Sequence, residues 1–126
     1  MKIVLDYLAV AAAGAVGAVL RLLVATFCGR LFGTSFPIGT MVINLSGSMF
    51  LGWFLTVIGG RVIVSDTVRL AIAVGFVGAY TTFSTYMYES NSLLNSGATI
   101  KAFVNLVGSL LLGLLAVRAG VWLARV

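Results

Sequence analysis

The sequence predicts an all-α membrane protein of four transmembrane helices, with the third helix broken mid-membrane. Three observations lead there. The 126 residues are 61% hydrophobic and only 9% charged, with a mean hydropathy of +1.17. The apolar residues fall into four runs of about 20, the length a helix needs to cross a bilayer. The third run carries the stretch G-F-V-G-A-Y-T-T-F-S-T-Y (Gly75–Tyr86), in which four hydroxyl side chains join glycines and aromatic residues. Glycine and β-branched residues are weak helix formers, and Ser/Thr hydroxyls compete for backbone hydrogen bonds. Broken backbone at membrane depth survives only where protein buries it or a polar cavity accepts it, and such breaks are where ions bind.

Composition also excludes. A soluble domain is about 45–50% apolar and about 25% charged, far from these values. Histidine is absent and Cys28 is the single cysteine, so zinc sites, disulfide frameworks and His-based acid/base chemistry are ruled out. Cys28 is read as packing. The acids Asp6, Asp66 and Glu89 are scattered and offer no carboxylate pair for hydrolytic chemistry. An enzyme is not expected. The net charge of +5 comes from cations placed singly at span ends, a pattern of membrane topology rather than of nucleic-acid binding.

The first span is predicted over about residues 5–27. It opens like a signal peptide, but its apolar character outlasts a cleavable h-region of about 7–15 residues, so a retained helix is expected. Gly14 and Ala18, and Ala13, Gly17 and Arg21, recur every four residues, a spacing that lets helices pack closely. Arg21 is then either a snorkelling interfacial cation or one placed to attract an anion. The second span, 39–60, aligns Thr40, Asn44 and Ser48 on one face. Asn44 there serves either as helix–helix glue or as a ligand for a permeating solute. Asp66 is expected to cap the third span, 68–95. On that span Glu89 shares a face with Thr82 and Tyr86, either solvated at the interface or in a water-filled vestibule. The fourth span, 100–123, carries Asn105 and Ser109 four residues apart beside Gly108 and Gly113. Together the spans account for nearly the whole chain as a single transmembrane unit, residues 1–126.

Four spans place both termini and the middle connection on one side, with Lys2, Arg61, Arg69, Arg118 and Arg125. The other side has Arg30 and Lys101, with Arg21 close by. Lys/Arg bias sets orientation, and so weak a bias permits insertion both ways up. Each span also carries more small or polar surface than four helices need to cover one another, so an oligomer is expected, most simply a symmetric dimer.

The motifs G-A-V-G-A-V-L-R (14–21), G-T-M-V-I-N-L-S-G (39–47) and G-F-V-G-A-Y-T-T-F-S-T-Y (75–86) resemble the Fluc/CrcB fluoride channels. The resemblance covers all four spans and their order. It implies a fluoride-selective channel that passively exports fluoride across the bacterial inner membrane and relieves its toxicity, assembled as an antiparallel, dual-topology homodimer. It implies a pore lined by Asn44, Phe83, Ser84, Thr85, Tyr86 and Ser109, with Arg21 and Glu89 at matching positions. It also implies a structural Na⁺ at the dimer interface, held by the backbone carbonyls of Gly78 and Thr81. The chemistry agrees: a strongly hydrated anion needs amide, hydroxyl and N–H donors in place of water, and an aromatic ring offers a positive edge.

Three positions depart from that pattern. Tyr86 stands for a second Phe, adding a hydroxyl donor and bulk near the path; Gly113 stands for a Thr of some members; Ala79 replaces a glycine. They keep open a subunit of a heterodimeric fluoride channel. A small dual-topology multidrug transporter is the weaker alternative, because such proteins use an acid embedded in the first helix and here that helix has only Asp6 near its start.

Overall fold

The structure, a computed structural model, describes residues 1–60 and 62–126. Arg61, counted above among the charges of the terminal side, lies outside the described residues. The elements are all helical: α1 (Lys2–Phe32), α2 (Ile38–Gly60), α3 (Asp66–Leu70), a π-helical stretch (Ala71–Val77), α4 (Gly78–Tyr80), α5 (Phe83–Asn95) and α6 (Thr99–Leu123). The pieces from Asp66 to Asn95 run on as one span, giving four helices long and apolar enough to cross a membrane. The chain is a multi-pass membrane protein. At 1.5 Å per residue the 31 residues of α1 reach about 46 Å, longer than the ~30 Å hydrocarbon core.

The ends of the helices have local causes. Gly33, with φ 76°, closes α1 and its N–H bonds the Gly29 carbonyl. Gly97, at φ 77°, turns α5 into α6. Its N–H goes back to the Leu94 carbonyl and that of Ala98 to Leu93, the paired bonds of a Schellman cap. The cap of α3 corrects the sequence expectation. Ser65, extended at φ −66° and ψ 153°, accepts the Val68 N–H, and Asp66 is the first helical residue. There its charge still favours the positive end of the helix.

Glycine decides how closely the helices cross. At Gly17, a Cβ would strike the Phe76 carbonyl; at Gly75 it would meet the Val10 carbonyl at 2.6 Å. These two positions seat α1 directly on the π-helical backbone. The other tight crossing is α2 on α6, where Gly52 faces the Val117 carbonyl and Gly120 the Met49 carbonyl. Backbones in contact gain dispersion and polar contacts that lipid cannot supply. An aromatic run extends the core, with Phe50 stacked on Phe54, edge-on to Phe76, and Phe76 parallel to Tyr80 at 6.1 Å.

The two ends of the bundle are tied by polar contacts. Lys2 Nζ pairs with Asp66 Oδ2 at 3.0 Å, and the Thr67 hydroxyl donates to Asp6. At the other end Lys101 Nζ donates to the Ser35 carbonyl. Little of the chain is deeply enclosed: Ile43 and Asn105 are the largest side chains that are fully buried. Much of the apolar surface faces outward, as it does where the solvent is lipid.

Candidate functional site

The third span loses its helix at Thr81 (ψ 159°) and Thr82 (φ −150°, ψ 119°) and regains it at Phe83. In an unbroken helix the Thr82 N–H would bond the Gly78 carbonyl. Here it goes to Asn44 Oδ1 at 2.8 Å, and Asn44 Nδ2 donates to the Thr82 carbonyl at 2.9 Å. The side-chain amide of α2 thus stands in for the missing helical partners of Thr82. A buried peptide group left unpaired costs about 1–3 kcal/mol, so this pair of bonds decides whether the break is tolerated. Of the two readings of Asn44, the glue is what these bonds record. The Asn amide carries two N–H groups, and among the described residues Nδ2 makes one bond, to the Thr82 carbonyl.

The local hydroxyls complete the break. Thr82 Oγ1 accepts the Thr85 N–H at 3.2 Å and donates to Thr85 Oγ1, an N-cap for α5. Thr81 Oγ1 turns back to the Val77 carbonyl. The N-terminus of α5, the positive end of its dipole, opens beside this turn.

An open cleft of ≈ 470 Å³ lies against the break. Its polar wall is Asn44, Ser48, Thr81, Thr82 and Ser109; its aromatic wall is Phe83 and Tyr86; Leu51, Val77, Leu110, Leu114 and Val117 supply the rest. The Phe83 and Tyr86 rings meet edge to face, 6.0 Å apart at 62°. Phe83 is 74% exposed, so its ring stands in the opening. The wall offers amide and hydroxyl donors and ring edges, with no full charge.

The residues singled out in the sequence divide here. Asn44, Phe83, Tyr86, Ser109 and Thr81 meet at the cleft. Ser84 and Thr85 are exposed on the first turn of α5, beside the wall and outside it. Arg21 is half-buried on α1, away from the cleft, with no hydrogen-bonding or ionic partner among the described residues. Glu89 turns toward Thr40 of α2, and its Oε2 is buried without a partner among the described residues. Gly78 lies one turn before the break, exposed, with open space where a side chain would be.

The three departures fall in different places. Tyr86, expected to add a hydroxyl donor and bulk near the path, lies in the cleft wall and donates its hydroxyl to the Leu106 carbonyl of α6 at 2.6 Å. Ala79 is not in the cleft wall; its Cβ faces α1 at Gly14. Gly113 does lie in the wall, with nothing within 4 Å of where a Cβ would point. Sequence reasoning missed Ser90, which is 2% exposed and donates to the Tyr86 carbonyl. Its signal was the four-residue spacing Tyr86–Ser90, facing Asn105–Ser109 across α6.

No group of three or more His, Cys, Asp or Glu side chains that could hold a metal occurs among the described residues. Because the Thr82 N–H goes to Asn44 Oδ1, it does not make the helical bond to the Gly78 carbonyl.

Known proteins match along almost the whole chain. The chain is 46% identical to a fluoride-specific ion channel, FluC, of Chloroflexus aurantiacus over 120 residues, 95% of each protein. It is 42% identical to that of Maridesulfovibrio salexigens, over 94% of each. It is likewise 42% identical to that of Aquifex aeolicus, over 84% of this chain and 86% of the other. The family model described as CrcB-like protein, Camphor Resistance (CrcB), matches residues 8–121, and with that span and those identities the chain belongs to the CrcB family.

Proposed function

We propose that this chain is a fluoride-conducting channel rather than an enzyme, working as an antiparallel homodimer in the bacterial cytoplasmic membrane. The observation that carries it is the wall of the cleft: neutral donors (Asn44, Ser109) beside the edges of Phe83 and Tyr86. Such a wall replaces the water of a small anion without trapping it as a cation would. Relatives named fluoride-specific ion channels, matching over 95% of both chains, support the same ion.

A second copy is supported by what one chain leaves open. Phe83 and Leu110, at 74% and 70% exposure, border the same cleft, and polar backbone at membrane depth must be covered by protein or line a cavity. A partner inserted the other way up would close the cleft into a path and bury the break mid-membrane. The carbonyls of Gly78 and Thr81 from both chains would then supply four oxygens for a Na⁺ between them. That donor set fits a hard cation, and the ion would fix the two subunits to each other.

Of the three departures behind the heterodimer reading, Tyr86 has its hydroxyl held by α6, which favours the homodimer. The multidrug reading lacks its acid: Asp6 is engaged by Thr67 at one end of the bundle. The decisive experiment is fluoride efflux from liposomes holding the purified protein alone. Selective, electrode-detected efflux is expected; absence of any fluoride-selective flux would sink the reading.

A further inference from the structure

We propose that Asn105 is a positioning residue for the cleft wall, holding the Tyr86 ring through Ser90 and directing the Ser109 hydroxyl. This rests on the channel reading and deepens it.

Asn105 is 1% exposed and lies between α5 and α6. Its Nδ2 donates to Ser90 Oγ at 2.9 Å, and Ser90 Oγ donates to the Tyr86 carbonyl at 2.7 Å. On the other side of the amide, Ser109 Oγ donates to Asn105 Oδ1 at 3.4 Å. The direction of each bond is forced. Ser90 spends its single proton on the Tyr86 carbonyl, so it can only accept from Asn105, which fixes Nδ2 on that side and leaves Oδ1 for Ser109. One buried amide thereby sets two groups of the wall.

The ring has a second tether. Tyr86 Oη donates to the carbonyl of Leu106, the residue next to Asn105. Tyr86 is thus tied at its backbone carbonyl by Ser90 and at its phenol by α6. A ring fixed at both ends keeps one edge toward the cleft and toward Phe83. Small displacements of positioned groups cost far more function than stability. The long Ser109 bond has a different consequence: the hydroxyl rests on Asn105 and is easily released to donate to an anion.

A buried Asn can also be simple helix glue, so the test reads flux per assembled dimer together with its dependence on the ring. Ser90→Ala removes the relay with little change of volume, and Asn105→Leu removes both arms. Each is reconstituted in liposomes with the wild type, after size exclusion confirms its assembly. Ser90→Ala is expected to lower fluoride efflux by about threefold to tenfold, the equivalent of one net hydrogen bond. In a Tyr86→Ala background, with no ring to position, Ser90→Ala is expected to have no further effect. Efflux from Ser90→Ala equal to wild type, or the same fold-loss with and without the ring, overturns the proposal. Asn105→Leu should fall at least as far as Ser90→Ala; if it assembles and conducts like wild type, the proposal fails. A wild type that carries no fluoride refutes the channel reading instead, which keeps the two failures apart.

Discussion

Between α2 and α6 the chain brings two backbones into contact, with Gly52 on Val117 and Gly120 on Met49. A few residues away, at Thr82, it holds two segments apart around a cleft, with Asn44 spanning to the broken backbone. Both regions involve α2 and α6 in the same apolar surroundings, the second together with the broken third span. In the seams, small residues exclude everything, and specificity comes from shape. At the break, polar side chains replace the lost helical bonds, and the unused donors face open space. The difference teaches that glycine alone does not mark the site in this protein, because it serves the seams as well as the cleft wall. The site is marked by side chains that satisfy backbone groups of another segment.

The contrast breaks most visibly at the seams. Gly120→Leu would drive a side chain into the Met49 carbonyl and is expected to abolish assembly, since overpacking costs about 1–3 kcal/mol or more even for modest insertions. Size exclusion in detergent reads this directly, and an elution profile like that of the wild type would show that the crossing has slack. Gly113→Ala, on the same helix but facing open space, is the matched control and should assemble normally.

At the break, Asn44→Ala strands both peptide groups of Thr82, with an expected loss of about 1–3 kcal/mol and fluoride efflux reduced by tenfold or more. Thermal unfolding and liposome efflux should move together; unchanged efflux would remove Asn44 from the path. Phe83→Ile should separate the two readouts, because the ring stands 74% exposed in the cleft and carries little packing. Flux is expected to fall while melting stays near wild type. Equal flux would show that the ring edge is dispensable.

Two milder changes sharpen the picture. Ser65→Ala removes the cap of α3 and should cost about 0.5–2 kcal/mol in unfolding experiments, with efflux per reconstituted protein unaltered. Asp66→Asn breaks the ion pair with Lys2, whose side chains are 69% and 72% exposed. Exposed pairs of this kind contribute little, and no measurable change in melting or flux is expected.

Much of this was legible without coordinates. The four spans follow from the apolar runs, because a bilayer accepts only helices of sufficient length. The break was legible because Thr81, Thr82, Ser84 and Thr85 cluster beside Gly78 within one apolar run. Its form was not: the π-helical turn over Ala71–Val77 packs at Gly75 against Val10, a contact between distant segments. Ser84 and Thr85 looked like wall residues because hydroxyls near a break all look alike in sequence. Their direction is set by where α5 restarts, and that placed them outside the cleft.

Tyr86 shows the limit most clearly. Sequence alone established that an aromatic residue with a hydroxyl stands three positions after Phe83, which is enough to put both rings on one face of a helix. It could not establish what the hydroxyl would do, since a donor near an anion path and a donor bonded to a neighbouring helix are written with the same letter. Chain order determined the helices, their apolar faces and the place of the break, because those follow from local propensity and from the cost of unpaired backbone in lipid. Which polar groups are consumed by the fold, and which remain for an ion, was decided only when α2, α5 and α6 came together. Hydrogen bonds between segments far apart in sequence settle that allocation, and only the tertiary structure sets their distances.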